Sequence, residues 1–544
     1  MIKRFLLLFI LPILLYSSQE DTVKITLNAD LYKKNEWKAL LHYNNGFKVN
    51  DKKFLLSKNP SLKNELTSTI KAFYDLPHNY QNINEHPQCK FPARFLFITH
   101  ELNISKDAFP KVNCQDFQTY KQKAPAHKIS LIYASENVTN PSSMMGHVFL
   151  KFSGKNYKNK EVHHAITFYT VIENLNPLKL IYQNTISGMK GMFALQPYKK
   201  IKQNYTQKEN RNLWEYELAL SEYERKLIYY HVWELKGINM KYYFTSYNCS
   251  TVIYNMLSFA NPKIYDDKKL WITPLDTVKF LYKYDLIKKA QLFPSNTWLV
   301  KMLEDTNIDL NNTKSVKKRI FDISKYKSPN KIPNERQFGI GYKNLDKEQY
   351  MKLSFLPASH LINDYNREYF GESELKIGYL SLLANKNKLK LDEFTLYGMK
   401  SYMPYSSSTN DLSYQFELSI KQEYTKKKKY ASTFKIDAGV GIDFLFFKDI
   451  NIFCILNGGI GYNTFDHFHF LFNPQLGMTI YEIFNMKSMF YYQPYFVNSE
   501  HIYNKFVFQH NIFIDNNFTF YFNLEKVQSN QNFTNYEFGM KYIF

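Results

Sequence analysis

Asn535-Tyr-Glu-Phe-Gly-Met-Lys-Tyr-Ile-Phe544 ends the chain and alternates between two kinds of side chain. One face is apolar and largely aromatic, and it consists of Tyr536, Phe538, Met540, Tyr542 and Phe544. The other face consists of Asn535, Glu537, Gly539, Lys541 and Ile543. A period of two predicts a β-strand, and an aromatic face opposite a polar one is typical of a strand between lipid and a polar lumen.

The same alternation recurs upstream, in residues 413–421, 433–442 and 518–525. A soluble β-sandwich also alternates, but two features favour a membrane barrel. The apolar faces are rich in aromatic residues, and the chain ends on Phe544, which resembles the C-terminal signature that the outer-membrane barrel assembly machinery reads. We therefore predict an all-β transmembrane barrel of about 12 strands over residues 338–544.

The N-terminus has the features of an export signal. Lys3 and Arg4 precede an apolar run over residues 5–16, and Ser17 and Ser18 follow it. The run is shorter than the roughly 20 residues that a spanning helix needs, so we expect a signal peptide over residues 1–18 rather than a membrane anchor. No later stretch predicts a spanning helix, so only a closed barrel could cross the membrane.

The chain is strongly basic, with a formal net charge of +21. In an exported protein this charge favours anionic partners such as phospholipid headgroups or lipopolysaccharide, although compositional bias of the genome would also produce it. Nucleic acid is not expected as a partner, because export separates the protein from it. The sequence predicts no metal site and no cofactor.

Between signal and barrel we distinguish three segments. Residues 19–125 form an accessory module, residues 126–325 an α/β domain, and residues 326–337 a polar linker with two prolines. Strands are predicted over 128–133, 147–152 and 162–171, and helices over 220–235 and from residue 249 onward.

Four cysteines occur in a chain that is expected to enter an oxidising compartment. Cys89 and Cys114 lie in the accessory module and are predicted to form a disulfide. Cys454 lies in a barrel strand and is expected to have no chemistry. Cys249 is left as a free thiol that needs an explanation. Arg94, near Cys89, is expected to form a structural salt bridge rather than to bind a ligand.

Cys249 lies in Tyr247-Asn-Cys-Ser-Thr251, at the predicted start of a helix. A helix N-terminus lowers the pKa of a thiol, and a cysteine nucleophile also needs a base. His147, which follows Gly146 at the start of a strand, is the best candidate. His164 and Thr167 on the next strand could orient the imidazole, but they lie on opposite faces, so only one can point toward it. A lone buried cysteine and a lone strand histidine are, by themselves, more often structural.

Several motifs in order carry a family resemblance. They are Ser142-Ser-Met-Met-Gly-His-Val-Phe-Leu150, Leu213-Trp-Glu-Tyr216, Trp233-Glu-Leu235 and Tyr247-Asn-Cys-Ser250. Together they resemble the Lnb N-terminal periplasmic domain family, which is named for a bacterial lipoprotein N-acyltransferase. More remotely, the order of the motifs is similar to circularly permuted NlpC-type enzymes. The resemblance implies an α+β papain-like fold for the domain.

The resemblance also implies that Cys249 is the nucleophile and His147 the general base. The family has an asparagine after Ala-Ile on the second strand, whereas Thr167 follows Ala165-Ile166 here. The implied function is a periplasmic cysteine acyltransferase or acyl hydrolase, anchored in the outer membrane and acting on phospholipid or lipoprotein acyl groups. The alternatives are a cell-wall amidase or peptidase of the NlpC type, and a non-catalytic periplasmic module on a transport or anchor barrel.

Overall fold

The computed structural model describes residues 18–136, 145–171, 179, 182–267, 269, 271–304, 328–366, 371–405, 410–447, 449–529 and 532–544. The predicted signal peptide lies outside this range except for Ser18, as do residues 326–327 of the predicted linker. No helix in the described ranges combines the length and the apolar character needed to span a bilayer.

The first region is helical. Its helices are α1 (Gln19–Asn28), α2 (Asn35–Leu40), α3 (Leu62–Phe73), α4 (Pro87–Lys90), α5 (Pro92–Glu101) and α6 (Gln115–Lys123). Ser18 and Asp21 form a capping box at the start of α1, and Ser61 caps α3. Cys89 in α4 is bonded to Cys114, the residue before α6, with their Cα atoms 5.1 Å apart.

A seven-stranded antiparallel sheet follows, in the order β6-β4-β3-β2-β1-β5-β7. Its strands are β1 (Lys128–Ala134), β2 (His147–Lys155), β3 (Glu161–Thr170), β4 (Met189–Pro197), β5 (Leu213–Leu218), β6 (Met240–Tyr242) and β7 (Ile287–Phe293). The helices of this region are α7 (Tyr198–Gln203), α8 (Glu222–Glu234), α9 (Cys249–Leu257), α10 (Lys263–Asp266), α11 (Pro274–Lys283) and α12 (Asn296–Glu304). The predicted α/β character is confirmed; the papain-like permutation stays a prediction.

The helical region and the α/β region are not independent, because one hydrophobic core runs through both. A buried polar chain also joins them. His42 accepts a hydrogen bond of 2.7 Å from the Tyr247 hydroxyl, and its other ring nitrogen lies 2.9 Å from His231. His231 in turn contacts the Glu234 carboxylate at 3.0 Å. The first region therefore supports the turn that leads into Cys249.

Arg94 lies at the centre of this contact and is fully buried. Its guanidinium contacts the Glu65 carboxylate at 3.1 Å and the Glu234 carboxylate at 3.8 Å, and it donates to the Phe54 carbonyl at 2.9 Å. Both carboxylates are themselves fully buried. Arg94 therefore makes a structural ion pair between the two regions.

The C-terminal part is a closed antiparallel barrel. Its strands are β8 (Gln337–Leu345), β9 (Glu348–Leu356), β10 (Ser359–His360), β11 (Glu372–Ala384), β12 (Leu389–Tyr402), β13 (Ser413–Tyr424), β14 (Tyr430–Phe446), β15 (Ile450–Asn463), β16 (His467–Phe472), β17 (Gln475–Glu482), β18 (Met486–Val497), β19 (Glu500–Phe513), β20 (Phe518–Gln528) and β21 (Phe533–Ile543). Two positions in the wall are each shared by two consecutive strands, β9 with β10 and β16 with β17. The wall therefore has 12 strands, as predicted, and β21 pairs with β8 to close it.

The two faces of the wall follow the predicted alternation. The apolar face points outward, where Phe434, Val440 and Phe538 are exposed. The polar face points inward, where Lys435 and Glu537 are buried among other charged groups. Cys454 is exposed on the outward face.

Both ends of the barrel chain meet at one rim. The N–H of Phe544 donates to the carbonyl of Arg336 at 2.9 Å, and Gln337 pairs with Ile543. The two longest connections, from β10 to β11 and from β12 to β13, begin and end at this same rim, whereas the turns at the opposite rim are short. Barrels in general carry their long loops at the outer rim, and this one departs from that rule.

The segment before β8 is packed against the α/β region. Ile332 contacts Leu275 of α11, and Asn334 accepts a hydrogen bond of 2.7 Å from Lys279. Arg336 makes a buried ion pair of 2.7 Å with Asp276. The described part of the predicted linker, residues 328–337, therefore holds the two regions together.

We expect Arg94→Met to lower the free energy of unfolding of the helical and α/β regions by about 3–5 kcal/mol. The substitution leaves two buried carboxylates without their cation. Urea denaturation followed by tryptophan fluorescence would measure this. Lys226→Met is the matched control, since Lys226 pairs with Glu222 at the surface and should change the stability by less than about 0.5 kcal/mol. Equal midpoints for the two variants would contradict the assigned role of Arg94.

Candidate functional site

Helix α9 begins at Cys249 because Asn248 caps it. The Asn248 side-chain oxygen accepts hydrogen bonds from the N–H groups of Ser250 at 2.9 Å and Thr251 at 3.1 Å. The Asn248 amide donates in turn to the carbonyls of Phe244 at 2.8 Å and Ile272 at 3.3 Å. The position of the thiol is therefore fixed by a cap that is itself held from two other segments.

The Cys249 thiol lies against the open edge of β2. Pairing between β2 and β3 begins at Leu150, so the N–H of Val148 is free to point at the sulfur, and the Tyr242 hydroxyl also reaches it. The Ser250 hydroxyl lies 3.9 Å from Sγ. Burial raises the pKa of the Cys249 thiol, and these hydrogen bonds offset only part of that effect. The thiol is therefore protonated at neutral pH.

His147 begins β2 immediately after Gly146, whose φ is +83°. A Cβ on Gly146 would lie 3.0 Å from the Ala134 carbonyl oxygen, so glycine is required at this position. The imidazole packs beside Phe149 and Tyr205, with ring centroids 5.9 Å and 6.4 Å away. Burial, with a smaller contribution from Arg211, lowers the pKa of His147 to about 3. The imidazole is therefore neutral at physiological pH and, in this buried position, a weak base.

The two candidate residues are adjacent but do not touch. Among the described residues, the thiol and the His147 imidazole share no hydrogen bond. The peptide that joins His147 to Val148 is nevertheless the one that donates to Sγ. The imidazole packs on the face of Phe149 and Tyr205, whereas Cys249 packs with Val148 on the other face of β2, so a catalytic pair would require the imidazole to move toward the sulfur.

The register of the sheet distinguishes Thr167 from His164, the two candidates for the residue that orients the His147 imidazole. Extending the β2–β3 pairing by one position places Thr167 beside Phe149, on the face that His147 occupies. His164 pairs with Phe152 farther along the strand and lies on the opposite face. Only Thr167 is therefore placed to orient His147, and its side chain is buried.

Three further residues of the site were not predicted from the sequence. Tyr242 reaches the thiol from β6, and Tyr205 lies next to His147 and interacts electrostatically with Cys249. The guanidinium of Arg211 lies 4.8 Å from the Tyr205 ring centroid and donates to the Ala134 carbonyl at 3.0 Å. No sequence signal marks them, because they come from separate elements. No group of three or more His, Cys, Asp or Glu side chains in the described ranges could hold a metal ion.

The site also abuts the outer wall of the barrel. Met145 and Trp271 form a buried cluster with Leu375 of β11, and Phe244 packs against it. Leu375 alternates with Glu374 and Lys376, which line the lumen, so its own side chain points outward. Phe244, whose carbonyl holds the Asn248 cap, therefore packs at the outward face of the barrel wall.

Models of three protein families match the chain. Residues 116–284 match the Lnb N-terminal periplasmic domain, residues 327–542 match a domain of unknown function (DUF7840), and residues 29–101 match another (DUF7843). The sheet extends beyond the first match, since β7 pairs with β5. The curated proteins contain no match to this chain.

Several solved outer-membrane proteins match the chain with low identity. The KdgM porin is 10% identical, with 38% of this chain and 99% of the porin covered and a TM-score of 0.24. OmpTdeltaL8, an outer membrane protein of Vibrio cholerae, is 8% identical, with 38% of this chain and 97% of that chain covered and a TM-score of 0.22. The beta domain of the Bordetella autotransporter BrkA is 7% identical, with 39% and 99% covered and a TM-score of 0.21. Scores this low support no inference.

The chain thus combines a region that matches the Lnb N-terminal periplasmic domain, residues 116–284, with a C-terminal closed 12-strand β-barrel. The barrel is assigned from its closed strand order and its apolar outer face, and not from the solved structures. The predicted location, a barrel in the outer membrane with its N-terminal regions in the periplasm, is confirmed.

We expect Cys249 in lipid-free protein to react with iodoacetamide only as the pH approaches or exceeds about 9, because burial raises the pKa of the thiol above its ordinary value of 9.0. The measurement uses Cys454→Ser, in which Cys249 is the remaining free thiol. The same protein in urea is the control and should react at lower pH. Half-maximal labelling of the folded, lipid-free protein near pH ~6 would show a preformed thiolate and contradict this expectation.

Proposed function

We propose that the periplasmic domain transfers or hydrolyses acyl groups through a thioester on Cys249, and that the acyl donor is a lipid of the inner leaflet of the outer membrane. In the first half of the reaction the sulfur attacks the acyl ester carbonyl, and the ester oxygen leaves with a proton. In the second half an acceptor amine or water takes the acyl group and the thiol is restored.

The observation that carries this proposal is the contact between the site and the barrel wall. Asn248, which caps the helix of Cys249, is held by the carbonyls of Phe244 and Ile272. Phe244 and Trp271 pack against each other at 5.7 Å between ring centroids, on the outward face of β11 and β12. An acyl chain in the bilayer would therefore lie next to the site without leaving the membrane.

The residues of the site supply the groups that such chemistry needs. His147 is neutral and, once rotated, would take the proton from the thiol and pass it to the leaving oxygen. The N–H groups of Ser250 and Thr251 already donate hydrogen bonds to the Asn248 side chain. The backbone N–H of Cys249 would therefore be the donor that stabilises the oxyanion. The Tyr242 hydroxyl is the second candidate donor. Thr167 would orient the imidazole from the same face.

One observation favours a second candidate function, a non-catalytic periplasmic module. The resting thiol is protonated and has no bond to His147, as expected for a domain that only binds. The two functions differ in what lipid should do. A catalytic site should gain thiolate reactivity when lipid binds and the imidazole rotates, whereas a binding module should not.

Protein purified with phospholipid micelles should acquire the mass of one acyl chain, and mass spectrometry should locate it on Cys249 as a hydroxylamine-sensitive thioester. Cys249→Ala should abolish the adduct. His147→Gln should slow its formation by about 10²–10⁴-fold, because proton transfer is lost. Cys454→Ser is the matched thiol control and should leave it unchanged. Undiminished turnover of lipid by Cys249→Ala would exclude the proposal.

The contact with the wall gives a separate expectation. Phe244→Ser should lower the rate on phospholipid in vesicles by about tenfold, since an aromatic side chain packed at the lipid boundary is lost. The rate on a water-soluble short-chain ester should stay the same. Tyr157→Ser removes an exposed aromatic from the turn after β2 and serves as control. Equal losses on both substrates would mean that Phe244 shapes the site rather than the membrane contact.

A further inference from the structure

The described part of the connection that follows β10 enters the barrel. Residues 361–366 lie in the lumen at the rim where the chain termini meet, and they are held by side chains from several strands of the wall. These partners are Gln337, Glu374, Tyr481, Lys487, Asn511 and Lys541, which come from six different strands. We call residues 361–366 the plug.

Asp364 is the most strongly held residue of the plug, and it is 2% exposed. Its carboxylate accepts hydrogen bonds from the Leu361 N–H at 2.8 Å and from the side chains of Gln337 and Lys541. Gln337 and Lys541 lie on the two strands that close the barrel, β8 and β21. The plug is therefore fixed at the closing seam.

The other side of the plug is fixed by Lys487 on β18. Its ammonium donates to the carbonyls of Ile362 at 2.6 Å and Asp364 at 3.1 Å and pairs with Glu372. The Ile362 side chain packs among inward-facing side chains of the wall, including Tyr402 and Phe453. The plug is therefore seated both by charge and by apolar packing.

A second layer closes the opposite end of the lumen. Tyr495 and Tyr503 stack with ring centroids 4.7 Å apart, and Tyr424 meets Tyr503 at 5.7 Å. Leu471, Val497 and Val527 complete the packing, and all six side chains are buried. We call these six residues the tyrosine layer. It contains no plug residue, so the two layers are independent.

Between the plug and the tyrosine layer the lumen is lined by polar and charged side chains. A cavity of about 300 Å³ remains there. Its walls carry ion pairs such as Lys343 with Asp392 at 2.7 Å and Lys352 with Glu537 at 2.7 Å. These charges neutralise one another across the wall instead of forming a field of one sign, which a selective pore would need.

We propose that the barrel is a closed membrane anchor that conducts neither ions nor solutes, because the plug and the tyrosine layer seal its lumen in series. This role of the barrel does not depend on the chemistry at Cys249. The barrel anchors the periplasmic domain, which docks outside its wall, and offers no path for substrate through its centre.

Conductance across planar lipid bilayers tests the proposal with full-length protein. Two seals in series predict that removing either one alone leaves the barrel silent. The wild type should show no current steps. A variant with residues 361–366 replaced by glycine and serine should show none, and neither should Tyr495→Ser with Tyr503→Ser. The combination of all these changes should conduct in steps of constant size.

Replacement of residues 385–388, an exposed turn at the far rim, by glycine and serine is the matched control and should stay silent. Heat-dependent gel mobility identifies folded barrels. Steps from the wild type, or from one single-layer variant, would overturn the series arrangement. A silent but folded combination would overturn the assignment of these layers as the seals.

The position of the plug has a test that does not depend on its removal. Asn363→Cys with Asn511→Cys, in a Cys454→Ser background, should be joined by a short bismaleimide in the folded protein, because the Asn511 amide donates to the Asn363 carbonyl at 2.7 Å. Asn363→Cys with Asn498→Cys, at the opposite rim, should not be joined. Equal cross-linking of the two pairs would show that residues 361–366 lie outside the lumen.

Discussion

Pairing of β21 with β8 is the constraint on which the rest of the structure depends. In a bilayer every backbone N–H and C=O needs a partner within the protein, so the sheet has to close. Closure with an even number of strands brings Gln337 and Phe544 to one rim. The periplasmic region, which precedes Gln337, is therefore held at that rim, and Arg336 fixes it there through its buried pair with Asp276.

Near that rim, both faces of the barrel wall make contacts. On the outer face, Leu375 packs against Met145 and Trp271 of the periplasmic domain. Inside, the neighbouring Glu374 accepts the N–H of Ile362 in the plug at 3.0 Å. Consecutive residues of one strand thus serve docking and sealing, because side chains of a strand alternate between its faces. A barrel built in this way can hold a domain at the lipid surface without being a passage.

The candidate site shows the same division between local and distant contributions. The helix start at Cys249 is local, since Asn248 caps it through adjacent N–H groups. The surroundings of the thiol are not local: Val148, Tyr242 and Tyr205 arrive from three elements. Their joint effect is a buried, protonated sulfur, and under the proposed function the neutral His147 imidazole would have to move toward it before chemistry begins.

The sequence by itself determined the barrel, its 12 strands, the start of α9 at Cys249 and the strand that begins at His147, because periodicity and capping are properties of neighbouring residues. It left His164 and Thr167 as alternatives, and it placed the helical region apart from the domain. Only the tertiary structure decided these points, since register sets which face a strand residue shares. It also placed the plug and the docking surface, which depend on contacts between residues far apart in the chain and leave no periodic trace.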